Sequence, residues 1–533
     1  MRSNSSILFG LIISVTTPWA YAVDASGETP AAKAEQAPRF DLWEFAIEGN
    51  SLLDTKLIER TVYPYLGPDR SLSDIEAARM ALETFYRDSG YPTVVVNTPE
   101  QTVKQGVVRL EVIEGRISRV RVSGSRYFSL DQLRKEVPAL TAGEVPHLPA
   151  LQTQIAQVNS VTPDRRVTPV FRPGRTPGTV VVDLKVKDEL PLHGDIEVNG
   201  RNSEDTTRTR TSTTLRYSNL FQKAHSASLM LMTAPENTDD VKVAALTYVV
   251  PREGSNDVMA GYAVVTRSDV ATAGAITVLG DGTIVGARYI HPLAALRRFS
   301  HNITLGLDYK DFDESLLPGG SETVNTPIDY VSLMGAYRGN WLHEDGHSTL
   351  GAGVHFGVRG LGNTEKEFEE KRFKARPNYI YATAFLEHEQ SLPGRFSLFG
   401  KLDGQLADSP LVSNEQYSAG GAESVRGYFE SQALGDHAVH GMFELRSPSL
   451  AAYVSRHLNK LNLFMFLDGA KLYIKDALPG QSTAIELYGA GAGLRLRGPA
   501  GFEADLALAW PLKDNGKAER GELRPHFRLH YGF

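Results

Sequence analysis

The chain has no cysteine among its 533 residues. That excludes a disulfide scaffold, thiol catalysis, zinc ribbons and thiolate-held iron–sulfur clusters. It has no basic block either: 56 Lys and Arg stand against 63 Asp and Glu, a formal charge of −7. The electrostatic footprint of a nucleic-acid-binding protein is therefore missing, and no nucleic-acid partner is expected. No run of 18 apolar residues occurs, so no hydrophobic helix is available to cross a bilayer. One membrane architecture stays open, a closed barrel whose strands place only every second residue on lipid. What the chain does have is 48 Gly, 22 Phe and 21 Tyr.

The first 22 residues read as an export signal. Arg2 supplies the positive start, Ile7 to Val15 the apolar core, and Ala20-Tyr21-Ala22 a small-x-small cleavage pattern. A core of about nine residues is too short to span a membrane interior of ~30 Å. Residues 23–39 carry little that can be buried and are expected to form a flexible tail.

Residues 40–115 and 116–190 read as a tandem repeat of β-α-α-β-β units. In the first, a strand over Leu42–Ile47 precedes Gly49. Leu53, Leu57, Ile58 and Val62 follow at helical spacing, and a second helix runs from Ser71 to Ser89. Ser73 with Glu76 three residues on suggests its N-cap. Strands over Thr93–Val96 and Val107–Ile113 close the unit. The second unit opens at Val120, and Gly124 stands 75 residues after Gly49. Helices near Leu130–Val137 and Leu148–Val161 and strands over Val167–Phe171 and Val180–Val186 complete it. Two helices covering one face of a three-stranded sheet leave edge strands open, and an open edge can take up a peptide as an added strand.

From residue 191 to 533 the apolar period becomes two. Ile303, Leu305, Leu307 and Tyr309 alternate with Thr304, Gly306, Asp308 and Lys310. Leu461, Leu463, Met465 and Leu467 alternate with Asn462, Phe464, Phe466 and Asp468. Strands are long and their connections alternate between short and long. About sixteen strands fit, giving roughly 21 residues per strand and connection, a transmembrane antiparallel barrel with a polar lumen. The fold class is therefore α+β modules followed by all-β. In the last strand, Phe527, Leu529, Tyr531 and Phe533 share one face, opposite His526, Arg528 and His530. This alternation ending on Phe resembles the assembly signal of bacterial outer-membrane barrels.

The segment at about 408–436 is too long for a strand turn. Gly420, Gly421 and Gly427 allow backbone shapes closed to other residues. Arg426, between Val425 and Gly427-Tyr428, sits among groups that suit a cavity better than water. A side chain so placed calls for a carboxylate. Asp468 is the candidate, on the strand face opposite Leu463, Met465 and Leu467. The Gly489-Ala490-Gly491-Ala492-Gly493 stripe lacks the third glycine of a dinucleotide fingerprint and suits a closely approached strand. His388-Glu389 has no second His at the zincin spacing. No catalytic residue, cofactor or metal is expected.

The stretch Glu415 to Tyr428, with Val425-Arg426-Gly427-Tyr428 at its core, closely resembles the pore-inserted loop of two-partner secretion transporters, the haemolysin-secretion and filamentous-haemagglutinin-transporter type. Phe466-Leu467-Asp468-Gly469 resembles that family's barrel motif, whose Asp holds the loop Arg. The resemblance implies a signal peptide, two polypeptide-transport-associated (POTRA) modules in the periplasm and a sixteen-stranded barrel in the outer membrane of a Gram-negative bacterium. It implies an exported partner protein, a large adhesin or haemolysin, recognised in the periplasm and passed unfolded to the cell surface. Outer-membrane lipid would surround the barrel, and the outer-membrane assembly machinery would insert it. The runner-up is an insertase for other outer-membrane proteins, since the Val-Arg-Gly-Tyr core is shared more widely. A plain solute porin would need no tandem modules.

Overall fold

The computed structural model describes residues 39–533, apart from residues 253, 269, 274–275, 314, 317–323 and 326. The export signal and nearly all of the tail lie outside the described residues. The chain divides into two compact units, one ending at Arg116 and the other running from Ile117 to Phe533.

In the first unit, strands Glu44–Glu48 and Val94–Asn97 flank the central strand Val107–Glu114, the first parallel to it and the second antiparallel. Helices Thr55–Val62 and Leu72–Asp88 bury Ile58, Val62, Ile75, Ala78, Leu82 and Tyr86. These pack with Phe45, Val108, Leu110 and Val112 of the sheet to form the core. The opening strand is broken: Phe40–Leu42 leaves this sheet to pair with Gly67–Arg70, and the central sheet begins at Glu44. The long helix is capped by Ser71, with Asp74 completing the capping box, and Ser73 and Glu76 lie inside it. Glu76 instead pairs with Arg79 on the exposed face.

The second unit opens with a module of the same plan. Strands Arg116–Ser123, Thr179–Asp188 and Arg165–Pro173 lie in that order, with helices Leu130–Lys135 and Leu148–Ser160. Its core holds Ile117, Leu133, Leu151, Val158, Val182 and Leu184. The repeat extends to single atoms. Gly49 and Gly124 have φ of +88° and +90°, and a Cβ on either would sit 2.3 or 2.4 Å from the carbonyl oxygen of Val112 or Val186. Only glycine fits such a contact. Just beyond, Glu114 accepts from the N–H and hydroxyl of Ser51, and Asp188 accepts from the hydroxyl of Ser125 and the N–H groups of Arg126 and Tyr127. Burial alone would raise the Asp188 pKa, but these hydrogen bonds outweigh it and hold the carboxyl below its ordinary value.

Sixteen antiparallel strands, from Leu192–Asn199 to Arg524–Gly532, form the closed barrel. The last pairs with the first from Arg528↔Asn199 to Gly532↔Asp195, so no edge is left for stray pairing. The second module is joined to the first strands by polar contacts. Asp164 pairs with His193 at 2.8 Å, and Asn219 and Gln222 both donate to the Tyr127 carbonyl. That fixes the module-side end of the barrel. Leu402, Leu406, Leu463, Met465, Leu467, Leu529, Tyr531 and Phe533 are exposed on the outer wall, as lipid-facing positions must be. The lumen is less polar than the alternation suggests. Inward-facing Val241, Val243, Val264, Ile284, Phe312, Ile328 and Tyr330 form an apolar cluster. It is covered by Phe368 of the short helix Glu365–Lys371 and by Leu411 and Val412. Charge is one way to fill an inner wall, and a packed plug of protein is the other.

Candidate functional site

The connection between strands Ser397–Ala407 and His437–Arg446 leaves from the end of the barrel away from the module and folds into the lumen. Within it, Tyr417–Ala419 pairs with Ala433–Gly435, a two-stranded stem carrying a compact tip. The tip brings Val425 and Tyr428 to complete burial. Gly427, at φ +100°, makes the turn; a Cβ there would meet the backbone nitrogen of Pro511 at 2.8 Å.

Arg426 is 3% exposed and fully engaged. Its Nε donates to Asp468 Oδ2 at 2.6 Å and its Nη2 to Asp468 Oδ1 at 2.7 Å, a bidentate fork, while its backbone N–H reaches the same carboxylate at 3.2 Å. The third arm, Nη1, donates to Glu444 Oε1 at 2.6 Å. The guanidinium lies 3.6 Å from the centre of the Phe466 ring, a cation–π contact that adds to the fork. Asp468 sits on strand Lys460–Tyr473 between Leu467 and Gly469, which share the outward face, so its carboxylate points into the lumen. Phe466 itself packs over Gly491 of the next strand, where a Cβ would come within 2.5 Å of the ring. Gly489 is approached closest: a Cβ there would lie 1.9 Å from the Arg426 carbonyl oxygen. The glycine stripe is thus the floor on which the loop tip rests.

Val425 and Gly427-Tyr428 complete the clamp. The Gly427 N–H donates to His526 Nε2 at 2.9 Å, and the Tyr428 hydroxyl donates to the carbonyls of Lys513 and Tyr488. In the last strand, Leu529, Tyr531 and Phe533 face outward and are exposed, with Phe527 on the same side. Phe533 exchanges two backbone hydrogen bonds with Gly194, at 2.9 and 3.0 Å, and so closes the barrel.

Sequence reasoning missed the larger half of the charge cluster. Glu444 also accepts from both Nη atoms of Arg495, at 2.9 and 3.0 Å, and from Arg446 Nε at 2.9 Å. Its signal was present: Glu444 lies between lipid-facing Phe443 and Leu445, so alternation alone aims it into the lumen. Asp468 has the opposite economy, with Arg426 as its bidentate partner. Missed as well were Glu415, Asp436 and Arg372, which hold the other parts of the loop. Among the described residues no group of His, Asp and Glu could hold a metal ion. The arrangement positions a loop, and nothing in it poises a nucleophile beside a base.

Fold and site together define an outer-membrane β-barrel that carries periplasmic modules and a loop clamped inside its lumen. Residues 40–115 match the model of the ShlB-type POTRA domain, and residues 327–496 match that of the haemolysin secretion/activation protein ShlB/FhaC/HecB. The heme/hemopexin transporter protein HuxB of Haemophilus influenzae is 23% identical over 504 residues, covering 91% of this chain and 86% of its own. The outer membrane transporter CdiB of Dickeya dadantii is 24% identical over 502 residues, covering 90% and 84%. Among solved structures, CdiB from Escherichia coli superposes with a TM-score of 0.61 at 19% identity, covering 95% of this chain and 93% of that one. BamA from Haemophilus ducreyi lacking POTRA domains 1–3 gives 0.59 at 14% identity, covering 93% and 100%. Such distant superpositions establish the fold they share and do not separate secretion from insertion; the family matches do. Over residues 40–115 and 327–496 the chain is similar to the haemolysin secretion/activation family. It is a two-partner secretion transporter of the outer membrane, with its modules in the periplasm, and not an enzyme. Its partner is a secreted protein.

Proposed function

We propose that the loop at 408–436 is the movable restriction of a passive pore, and that Val425, Arg426, Gly427 and Tyr428, held by Phe466, Asp468 and Gly469, set its resting position. The partner, an adhesin- or haemolysin-like chain, is met unfolded by the two modules at 40–115 and 116–190 and threads past the loop through the barrel at 191–533. Strand addition at an open sheet edge supports that meeting, because main-chain hydrogen bonds tolerate varied sequence. Val94–Asn97 is such an edge in the first unit. Folding of the partner outside the cell supplies the direction of transport. The last strand, through Phe527, Leu529, Tyr531 and Phe533, addresses the chain to the outer-membrane assembly machinery. Contact with lipid is supported by Tyr248, Tyr289, Phe299, Tyr337 and Trp341, aligned on the outer side near the module-side ends of four strands.

The single observation that carries this reading is the doubly bound Arg426, a cation removed from water to hold a loop in the path of transport. The test is secretion of the partner by cells carrying Arg426→Ala, with barrel insertion read by heat-modifiable migration. Loss or sharp reduction of secretion from an inserted barrel is the expected result. Normal secretion by both Arg426→Ala and Asp468→Ala would refute it. Removal of residues 40–115 should abolish secretion; a truncated chain that still secretes would reduce this module to a spacer.

A further inference from the structure

The loop is held at a second place that the Arg426 clamp does not account for. Glu415, 3% exposed, lies at the start of the inserted segment. It accepts from the Tyr330 hydroxyl at 2.7 Å and the Tyr381 hydroxyl at 2.9 Å, and it pairs with the ammonium of Lys310. These donors come from three different strands, Phe299–Asp313, Ile328–Leu342 and Ile380–Ser391. Gln405 Nε2 adds a bond to the Glu415 carbonyl at 3.1 Å. Both tyrosines belong to the apolar cluster under Phe368. Just past that helix, Arg372 forks onto Asp436, at 2.6 and 2.5 Å, where the loop rejoins the wall. A buried carboxylate answered by one cation and two hydroxyls is a built site, and its charge has no other evident use.

Its place in the barrel gives it meaning. Counted from the strand that begins at Leu192, Ile328–Leu342 is the eighth strand and Arg524–Gly532 the sixteenth. In a closed ring of sixteen these stand on opposite walls. The loop reaches the eighth through Glu415 and the sixteenth through the Gly427 N–H on His526. It therefore straps the lumen across its width.

We propose that Glu415, with Lys310, Tyr330 and Tyr381, is a second and independent anchor of the loop, and that the closed state needs both this anchor and the Arg426 clamp. Glu415 is a positioning residue: it fixes the half of the strap that lies opposite the barrel seam. The inference rests on the reading of the loop as the pore restriction. Either half can then leave the lumen while the other stays docked, so a passing chain need not displace the whole loop at once.

The test uses the full-length chain in planar bilayers, with Glu415→Gln, the Tyr330→Phe/Tyr381→Phe pair, Arg426→Ala and the Glu415→Gln/Arg426→Ala double variant. Folding is checked by heat-modifiable migration. Glu415→Gln should raise the ratio of open to closed time about ten-fold, equivalent to about 1.4 kcal/mol. The tyrosine pair should shift it the same way, and the double variant should exceed both single variants. A wild-type ratio in Glu415→Gln and the tyrosine pair, with Arg426→Ala raised, overturns the anchor and leaves the loop reading standing. A wild-type ratio in all of them, Arg426→Ala included, overturns the loop reading and the anchor with it. A fall in thermal stability without any change in gating also overturns the proposal. If Glu415→Gln does not fold, the tyrosine pair, which keeps both rings, decides alone.

Discussion

Replacing Arg426 by Ala exposes an asymmetry in the clamp that can be measured. Asp468, fully buried, loses its bidentate partner, whereas Glu444 keeps Arg495 and Arg446. Breaking a buried pair by removing one member costs about 3–5 kcal/mol, mostly because the other charge is left uncompensated. Neutralising that charge should recover much of the loss, so Arg426→Ala/Asp468→Asn should hold its loop better than Arg426→Ala. Asp468→Asn alone should be the mildest of the three, because Arg426 retains Glu444 at 2.6 Å. Adding Glu444→Gln to Arg426→Ala should not help, since it strips Arg495 and Arg446 of their acceptor. The absence of native cysteine makes the assay clean. A single cysteine at Val425, buried in the docked loop, reacts with a maleimide only when the tip leaves its site. At the low end of the range, Arg426→Ala should speed labelling about a hundred-fold, and Asp468→Asn should bring the rate back toward that of the parent. Equal labelling in Arg426→Ala with and without Asp468→Asn would refute the argument. So would rescue by Glu444→Gln.

Three further outcomes follow from the geometry. Tyr86→Phe removes the hydroxyl that donates to Asn50 Oδ1 at 2.7 Å in the first unit, and should lower the urea midpoint of that unit by the equivalent of about 1 kcal/mol; an unchanged midpoint sinks this. Burial and the Glu114 carboxylate push the Tyr86 phenol up to about 12, so the parent hydroxyl stays protonated and donating through the neutral range. Asp188, its pKa held below the usual aspartate value, stabilises the folded module above the unfolded pKa of about 3.9, and that contribution is lost as pH falls through the lower folded value. Denaturant midpoints at pH 6 and pH 3 should differ less in Asp188→Asn than in the parent, and equal differences would count against the assignment. Deleting Phe533 removes both backbone bonds to Gly194 at the seam, and should reduce the yield of heat-modifiable barrel without altering the modules; an undiminished yield would refute the role given to the last strand.

The alternation of Leu461 to Asp468 and of Phe527 to Phe533 is a local property. A strand turns successive side chains to opposite faces, so lipid side and lumen side are written into adjacent residues. The tandem modules were legible for a similar reason, since helical and strand periods alternate within short windows and Gly49 and Gly124 mark the same tight contact. Exact ends were less legible. The cap moved from Ser73 to Ser71 because the N-cap must stand outside the helix with extended backbone, and Asp74 rather than Glu76 then occupies the position that reaches back.

The sequence alone determined that this chain makes modules and a barrel, which face of each strand meets lipid, and that Arg426 needs a carboxylate. Only the tertiary structure decided which groups meet in the lumen. Arg426 finds Glu444, Glu415 finds Lys310, Tyr330 and Tyr381, and Gly427 finds His526 across separations of 18 to 105 residues. Those meetings depend on strand register and on closing the sheet into a ring, and neither is contained in the period of any one strand. The apolar cluster under Phe368 escaped for the same reason. An inward-facing valine reads as an exception to a polar lumen until a loop from elsewhere in the chain folds over it and removes it from water.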